Sequence, residues 1–334
     1  MDRIAVLGGG AWGTALSLIL AKKGCNISLW VWDPDQARQM ESTRENPLLP
    51  GFELPESIRI TTAMPDAVTG TETVFFVVVS RGAVDAAREL KTCLKPGVPI
   101  ISATKGLDSD TGLTISQMLE SEMNNQNPIL VLSGPNLAGE VARGVPTATV
   151  IASTDESAAR SAQDLLMGPS LRVYTNSDVI GVELAGALKN VIAIAAGICD
   201  GLGFGDNTKA ALLTRGLAEI TRLGVKLGAK QSTFMGLAGI GDLMATCASP
   251  LSRNRRLGFG LGQGKSLDEA AREIGGVGQI AEGVPTARAA YNLARKTGTP
   301  MPITEQVYAV LFEGKRPQDA PLELMSREPK DEVW

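Results

Sequence analysis

The first residues that could do chemistry are three glycines near the N-terminus, Gly8, Gly10 and Gly13, spaced as Gly-x-Gly-x-x-Gly. The apolar residues 4–7 before them predict a buried strand, and residues 14–23 after them predict a helix. In such a unit the first glycine permits a tight turn, the second lets the backbone approach a pyrophosphate, and the third lets the helix pack close to the strand. Free N–H groups at the helix N-terminus attract phosphate charge. The pattern predicts a dinucleotide-binding turn; the alternative is an ordinary glycine-rich connection.

An acidic residue follows the second predicted strand. This strand covers residues 27–32, and Asp33 comes directly after it. A carboxylate at that point hydrogen-bonds the ribose hydroxyls of a dinucleotide. It would repel a 2′-phosphate, and no Lys or Arg stands at positions 31–35 to bind one. The sequence therefore favours NAD, with NADP retained as the second choice.

Lys189 is the best candidate for moving a proton. On a helix its same-face neighbours are small or apolar, and no carboxylate lies three or four residues away. Burial disfavours the charged form of lysine, so the pKa of Lys189 should fall toward neutrality. The chain has no histidine, so proton transfer falls to Lys, Asp, Glu, Tyr or Cys. The alternative is a lysine that snorkels to the surface from a core helix.

Composition restricts the class of protein. The 334 residues are enough for two domains, and a net charge of −4 gives no field that favours nucleic acid. The sequence predicts no signal peptide and no integral membrane segment. The four cysteines lack metal-ligand spacing, which predicts reduced thiols in a cytoplasmic protein and no metal site.

Predicted strands and helices alternate as far as residue 176, and mostly helical sequence follows. Residues 34–60 predict a short helix and a loop, whereas residues 73–79 predict a central strand. The fold class predicted is α/β, with an N-terminal Rossmann-type doubly wound parallel sheet followed by a mostly α-helical C-terminal domain. The predicted divisions are a dinucleotide-binding domain at 1–176, a helical substrate and catalytic domain at 177–325, and a polar tail at 326–334.

The chain resembles the bacterial type of NAD(P)-dependent glycerol-3-phosphate dehydrogenase. The resemblance lies in residues 8–14, 102–106, 133–138, 183–190, 201–208, 239–247, 249–255 and 280–283. It implies a two-domain enzyme that interconverts dihydroxyacetone phosphate and sn-glycerol 3-phosphate with NAD(P)H and feeds glycerophospholipid synthesis. A homodimer is compatible with the sequence.

The resemblance also implies roles for individual residues. Lys189 matches the proton acceptor for alcohol oxidation, which is the donor for ketone reduction, and Lys105 and Asp242 complete the predicted catalytic group. The predicted substrate contacts are Lys105, Gly134, Asn136, Lys189, Asp242, Thr246, Ser252, Arg253 and Asn254. The predicted cofactor contacts are Gly8, Gly10, Ala11, Trp12, Gly13, Trp32, Asp33, Lys105, Ala138, Arg253, Ile280 and Glu282.

These roles agree with the chemistry of the side chains. Two lysines can stabilise the oxygen of a reacting ketone, and Asp242 can offset part of their charge. Arg253 offers a planar fork for phosphate, and Asn254 adds an amide donor. Ser252 is predicted to cap the helix that begins beside them.

Each residue also has a simpler interpretation. Asp242 could be only a helix N-cap, and Glu282 only an acid in the first turn of a helix. Arg253 could belong to a solvated basic face, the interpretation adopted for Arg255 and Arg256.

Two other functions stay open on sequence alone. One is a lysine-dependent dehydrogenase of the β-hydroxyacid type, in which Arg253 and Asn254 would hold a carboxylate. The other is a non-catalytic sensor of NADH, which would need no buried lysine.

Overall fold

The computed structural model describes residues 2–275, 281–329 and 331–332. The strands are β1 (Arg3–Leu7), β2 (Asn26–Trp30), β3 (Glu45–Asn46), β4 (Leu49–Glu53), β5 (Ile58–Thr61), β6 (Thr73–Phe76), β7 (Ile100–Ser102), β8 (Ile129–Ser133), β9 (Thr147–Ala152) and β10 (Leu171–Asn176). The helices among them are α1 (Ala11–Lys22), α2 (Pro34–Thr43), α3 (Met64–Val68), α4 (Ala83–Cys93), α5 (Ile115–Glu122), α6 (Ala138–Ala142) and α7 (Glu156–Leu166). The later helices are α8 (Val179–Gly201), α9 (Asp206–Lys226), α10 (Gln231–Phe234), α11 (Asp242–Ala248), α12 (Arg253–Gly262), α13 (Leu267–Glu273), α14 (Gly283–Thr297), α15 (Pro302–Phe312) and α16 (Asp319–Met325).

An eight-stranded sheet organises the first half of the chain, in the order β10-β9-β8-β7-β6-β1-β2-β5. Read from β5 to β8, six strands reproduce the order 3-2-1-4-5-6 of dinucleotide-binding sheets, with β1 at the point where the order reverses. Along β1, Ile4 and Val6 enter one hydrophobic core while Ala5 and Leu7 enter the other. The strand is therefore buried on both faces, as in sheets with helices on both sides. The predicted fold class is confirmed.

Three details of the sheet differ from the prediction. Strand β9 pairs antiparallel with β8, so β9 and β10 run against the other strands and the sheet is mixed. The hairpin β3–β4 and strand β5 lie in the segment predicted to be mainly loop, where Pro and Gly obscured the strand pattern. Strand β6 ends at Phe76 rather than at residue 79, because its neighbours β1 and β7 end beside Phe76 at Leu7 and Ser102.

Helix α8 is the centre of the second half of the chain. Asp178 caps it by accepting the N–H of Gly181 at 3.0 Å. Among the described residues, α8 is long and apolar enough to cross a membrane, but 89% of its most apolar window is buried within the protein. That burial is typical of a core helix in a soluble protein.

Glycines bring α12 unusually close to α8. A Cβ at Gly197 would lie 2.0 Å from the carbonyl oxygen of Arg255, and a Cβ at Gly258 would lie 2.0 Å from that of Ile194. The two backbones therefore touch where any side chain would separate them. This contact brings the N-terminus of α12 to the middle of α8, where Lys189 lies.

The sheet ends at Asn176 and the helical half begins at Val179, which supports a domain boundary near residue 176. That boundary stays a prediction. The described residues of the predicted tail, 326–329 and 331–332, follow α16 and are exposed.

Candidate active site

The glycine turn after β1 has the packing that its sequence predicts. Gly8 has a φ of +134°, and a Cβ there would lie 2.4 Å from the carbonyl oxygen of Val77, beyond β6. A Cβ at Gly13 would lie 2.0 Å from the carbonyl oxygen of Gly8, so α1 rests directly on the turn. A Cβ at Gly10 would meet nothing within 4 Å, which leaves open space at the N-terminus of α1. The turn therefore fits the pyrophosphate of a dinucleotide, whose contact with it stays a prediction.

Gln36 and Asn46, which belong to no recognised sequence motif, hold this turn in place. The carbonyl oxygen of Gly9 accepts hydrogen bonds from Gln36 Nε2 at 2.6 Å and from Asn46 Nδ2 at 2.9 Å. Asn46 Nδ2 also donates to Thr14 Oγ1 at 2.6 Å. Sequence reasoning missed both amides, because each lies in a polar segment whose spacing from the glycines carries no signal. They fix the turn against α2 and β3.

Strand β2 ends at Trp30, two residues before its predicted end, and Asp33 is the N-cap residue of α2. Its Oδ1 accepts the N–H of Asp35 at 2.8 Å and that of Gln36 at 3.4 Å. Oδ2 accepts no hydrogen bond from the described residues, so capping is compatible with the predicted contact to a ribose hydroxyl. The preceding residue, Trp32, is 79% exposed.

Three of the other predicted cofactor contacts lie on helices α1 and α6. Ala11 and Trp12 form the first turn of α1, and Ala138 begins α6, which packs beside α1. Glu282 directly precedes α14, and its carboxylate is close enough to Lys189 to raise the pKa of that amine. Ile280 lies outside the described residues.

Lys189 is buried and points into the protein, with only 5% of its surface exposed. Its Nζ donates to Asp242 Oδ1 at 2.5 Å and to Thr246 Oγ1 at 2.5 Å. Both partners lie on α11, where Thr246 Oγ1 also donates to Asp242 Oδ1 at 3.3 Å. The snorkelling alternative is therefore wrong. Because the carboxylate comes from 53 residues further along the chain, local spacing on α8 could not reveal it.

A second lysine shares the same carboxylate. Lys105 Nζ donates to Asp242 Oδ2 at 2.6 Å and to the carbonyl oxygen of Gly134 at 3.1 Å. Asp242 thus bridges a lysine from the sheet half and a lysine from the helical half. Three residues of the predicted catalytic group, together with Thr246, form one hydrogen-bonded network.

One turn of π-helix places Asp242. This turn, Leu237–Gly241, leads directly into α11, and such turns are frequent at functional sites. A Cβ at Gly239 would lie 2.1 Å from the carbonyl oxygen of Phe234, so the turn packs tightly on α10. Asp242 is the first residue of α11, and the N-cap position belongs to Gly241. Among the described residues, the carboxylate of Asp242 accepts from Lys105, Lys189 and Thr246 and from no backbone N–H. The interpretation of Asp242 as only a helix cap is therefore wrong.

The network tunes the proton affinity of Lys189. Burial lowers the pKa of Lys189 to about 8, the Asp242 carboxylate opposes this fall, and the neighbouring Lys105 ammonium adds to it. An amine with this pKa can both donate and accept a proton near neutral pH. The sequence-based expectation of a lowered pKa agrees with this environment.

The N-terminus of α12 carries the predicted phosphate contacts. Ser252 caps the helix by accepting the N–H of Arg255 at 3.3 Å. Arg253 is half-buried and forms no hydrogen bond or ion pair with the part of the chain that the structure describes. Its guanidinium is therefore available to an anion. Arg255 instead pairs with Asp200 at 2.7 Å, so its assignment to a solvated basic face is wrong, whereas Arg256 is exposed.

Asn254 connects this helix to α8 and α14. Its Nδ2 donates to Asn190 Oδ1 at 2.9 Å, and its Oδ1 accepts the N–H of Gly283 at 2.8 Å. One amide hydrogen of Asn254 is left for the predicted phosphate contact.

Four buried polar side-chain atoms have no hydrogen-bond partner within the described residues: Ser102 Oγ, Ser133 Oγ, Asn136 Oδ1 and Asn190 Nδ2. Two belong to the ends of β7 and β8, one follows β8, and one lies beside Lys189. Because buried polar groups are normally hydrogen-bonded, these atoms are candidates to contact a polar ligand. Asn190 was missed as a site residue, although its place next to Lys189 was a signal.

A doubly wound sheet with a glycine turn, a buried lysine with a lowered pKa and an arginine without a partner in the described part of the chain are together typical of nicotinamide-dependent dehydrogenases. Residues 3–159 match the family described as NAD-dependent glycerol-3-phosphate dehydrogenase N-terminus, and residues 178–322 match its C-terminus. The chain belongs to the NAD-dependent glycerol-3-phosphate dehydrogenase family.

Relatives of full length agree with this assignment. The chain is 49% identical to the glycerol-3-phosphate dehydrogenase [NAD(P)+] of Geobacter sulfurreducens, with 100% of this chain and 99% of the relative covered. It is 47% identical to the enzyme of that name from a Thermoanaerobacter species, with 99% of each covered. The crystal structure of glycerol-3-phosphate dehydrogenase from Coxiella burnetii is 40% identical and superimposes with a TM-score of 0.94 over 98% of this chain and 99% of that one.

Proposed function

We propose that this protein reduces dihydroxyacetone phosphate to sn-glycerol 3-phosphate with NADH or NADPH, reversibly, and so supplies glycerophospholipid synthesis. The observation that carries the proposal is the buried Lys189–Asp242–Lys105 network at the sheet edge where the glycine turn also lies. Membership of the glycerol-3-phosphate dehydrogenase family supports the substrate.

The chain's own residues divide the work of the reaction. The bound reduced nicotinamide supplies the hydride that the ketone carbon accepts. Negative charge then develops on the ketone oxygen, where the ammonium groups of Lys189 and Lys105 stabilise it. Lys189 donates its proton to that oxygen, and in the reverse direction its neutral amine accepts the proton of the alcohol. Asp242 holds both lysines within reach and compensates one of their charges.

Arg253 is proposed to hold the phosphate of the substrate. It is the first residue of α12, whose next residue, Asn254, bonds Asn190 beside Lys189, and its guanidinium has no partner in the described part of the chain. Arg253→Ala should raise the KM for dihydroxyacetone phosphate by about 10- to 100-fold, since a charge-assisted hydrogen bond is lost. Initial rates over a range of substrate concentrations measure this. Arg256→Ala is the matched control, because Arg256 is exposed and donates to the carbonyl oxygen of Glu273 at 2.8 Å.

The same assay separates the rival functions. Faster turnover of 3-hydroxy acids than of the phosphorylated pair would favour a β-hydroxyacid-type dehydrogenase. NADH binding without turnover of either substrate class would favour a sensor.

We also propose that NADH is preferred to NADPH. Oδ2 of Asp33 would accept a ribose hydroxyl and repel a 2′-phosphate. The kcat/KM with NADH should exceed that with NADPH by about ten-fold or more, and Asp33→Asn should reduce this ratio. Asp35→Asn removes an exposed carboxylate two residues later and should leave the ratio unchanged. A wild-type preference for NADPH would contradict the proposal.

A cytoplasmic location and a homodimer complete the proposal. All four cysteines are free thiols, three of them buried, which suits a reducing compartment. Light scattering or sedimentation would measure the oligomeric state.

A further inference from the structure

Glu183 is a buried carboxylate that the reaction does not use. It lies on α8, six residues before Lys189, and is 6% exposed. Oε1 accepts the N–H of Ser116 at 2.8 Å, and Oε2 accepts the hydroxyl of Ser116 at 2.5 Å. Burial raises the pKa of Glu183, and no ion pair in the described part of the chain compensates its charge. A buried unpaired carboxylate is costly, so a mere packing contact would be better made by an apolar residue.

Ser116 belongs to the element that ends the Lys105 loop. This loop, residues 103–114, leaves β7 and leads into α5, whose first turn contains Ser116. Its beginning is fixed to the sheet, where Thr104 Oγ1 donates to the carbonyl oxygen of Val78 at 2.8 Å. Leu107 within the loop belongs to the hydrophobic core of the helical half. Glu183 therefore holds the far end of a loop that passes between the two halves.

Helix α8 presents three residues in succession to this loop and its network. Glu183 contacts Ser116, and one turn later a Cβ at Gly186 would lie 3.7 Å from the Cδ of Lys105. Lys189 follows after three more residues and binds the carboxylate that Lys105 also binds. Six helical residues span about 9 Å, so one rigid segment relates all three contacts.

We propose that Glu183, acting through Ser116, is a positioning residue that fixes Lys105 relative to Lys189 and Asp242. This inference rests on the proposed function. Lys189 and Asp242 are held by α8 and α11 within the helical half, so loosening the contact changes the position of the Lys105 loop relative to both. The contact thus determines how close the Lys105 ammonium lies to the negative charge that develops on the ketone oxygen of the substrate.

The test is a double-mutant cycle between Ser116 and Lys105. Ser116→Ala removes the hydroxyl donor, keeps the N–H donor, and should lower kcat/KM for dihydroxyacetone phosphate by about ten-fold. In the Lys105→Ala background the same substitution should change the rate less than two-fold, because the residue through which it acts is gone. Glu183→Gln should show the same dependence on Lys105. The pH midpoint of the rate, set by Lys189, should rise in Ser116→Ala, because the displaced Lys105 ammonium no longer lowers the pKa of Lys189 as far.

Glu219→Gln is the matched control. Glu219 is another buried carboxylate, and it accepts the N–H groups of Ile303 at 2.7 Å and Thr304 at 3.2 Å at the start of α15, without contact to the Lys105 loop. Its effect on the rate should not depend on Lys105. Thermal melting of every variant shows whether it is folded at the assay temperature.

An equal fold-change of Ser116→Ala in the presence and absence of Lys105 would overturn the proposal, as would a lowered melting temperature with an unchanged rate. If the unaltered protein did not turn over dihydroxyacetone phosphate, the proposed function would fail instead. If the unaltered protein turned over dihydroxyacetone phosphate but the effects of Ser116→Ala and Lys105→Ala on kcat/KM were additive, only the positioning role would be contradicted.

Discussion

Lys189→Ala is expected to lower kcat for reduction of dihydroxyacetone phosphate on the order of 10²-fold or more, because the variant lacks its general acid. The Nζ of Lys189 is held at 2.5 Å from both Asp242 Oδ1 and Thr246 Oγ1, whereas the Lys105 ammonium is held on the other carboxylate oxygen, Oδ2. Cofactor affinity should change little, because the glycine turn lies on the sheet half of the chain. Initial rates and a fluorescence titration with NADH measure the two quantities.

A second variant separates catalysis from packing. Lys189→Met keeps the length and apolar stem of the side chain and removes only the charge and the donors. It should lose as much activity as Lys189→Ala while retaining more of the free energy of unfolding. Lys226→Ala, on the exposed end of α9, controls for the removal of a lysine elsewhere. A folded Lys189→Met protein with full turnover would refute the proposed mechanism.

Local patterns in the sequence determined the parts of this site that depend on neighbouring residues. The glycine turn is specified by three residues next to one strand and one helix, and its backbone contacts follow from that spacing. The small and apolar residues one turn from Lys189 indicated a buried helix face but left the snorkelling alternative open. Periodicity was therefore sufficient for the glycine turn, whereas the orientation of Lys189 depends on the packing of α11 on α8.

Contacts between distant elements could not be read from spacing. Lys189 meets Asp242 only because α11 packs on α8, and the family resemblance, rather than periodicity, suggested that pairing. The amides of Gln36 and Asn46 meet Gly9 only because the β3–β4 hairpin folds beside the turn. The direction of β9 was mispredicted for a related reason, since a buried strand has the same apolar sequence whichever way it runs.

The pH dependence of the rate follows from the direction of the lysine shift. Reduction needs the protonated amine, so its rate should be constant well below pH 8 and fall as the pH rises through the Lys189 pKa of about 8. Oxidation needs the neutral amine, so its rate should rise through the same region. The two reaction rates therefore change in opposite directions over the same pH range. This range lies near pH 8 because the pKa of Lys189 is lowered from 10.5.

Asp242→Asn should move this midpoint to lower pH, by about one unit or more, and lower kcat at neutral pH on the order of 10²-fold. The carboxylate of Asp242 is the main group that raises the pKa of Lys189 against burial, and Asn keeps its shape without its charge. The two ammonium groups would then face each other uncompensated, which also lowers the free energy of unfolding by about 3 kcal/mol. Initial rates measured from about pH 5.5 to about pH 9.5 locate the midpoint.

Asp200 provides the matched control for this charge. It also bridges two cations, Lys209 at 2.6 Å and Arg255 at 2.7 Å, and its side chain is 11% exposed at the far end of α8. Asp200→Asn therefore removes an equivalent ion-pair network without touching Lys189, and the midpoint should stay where it is in the unaltered protein. If Asp242→Asn left the midpoint unchanged, or if Asp200→Asn moved it equally, the titrating group would not be the Lys189 amine held by Asp242.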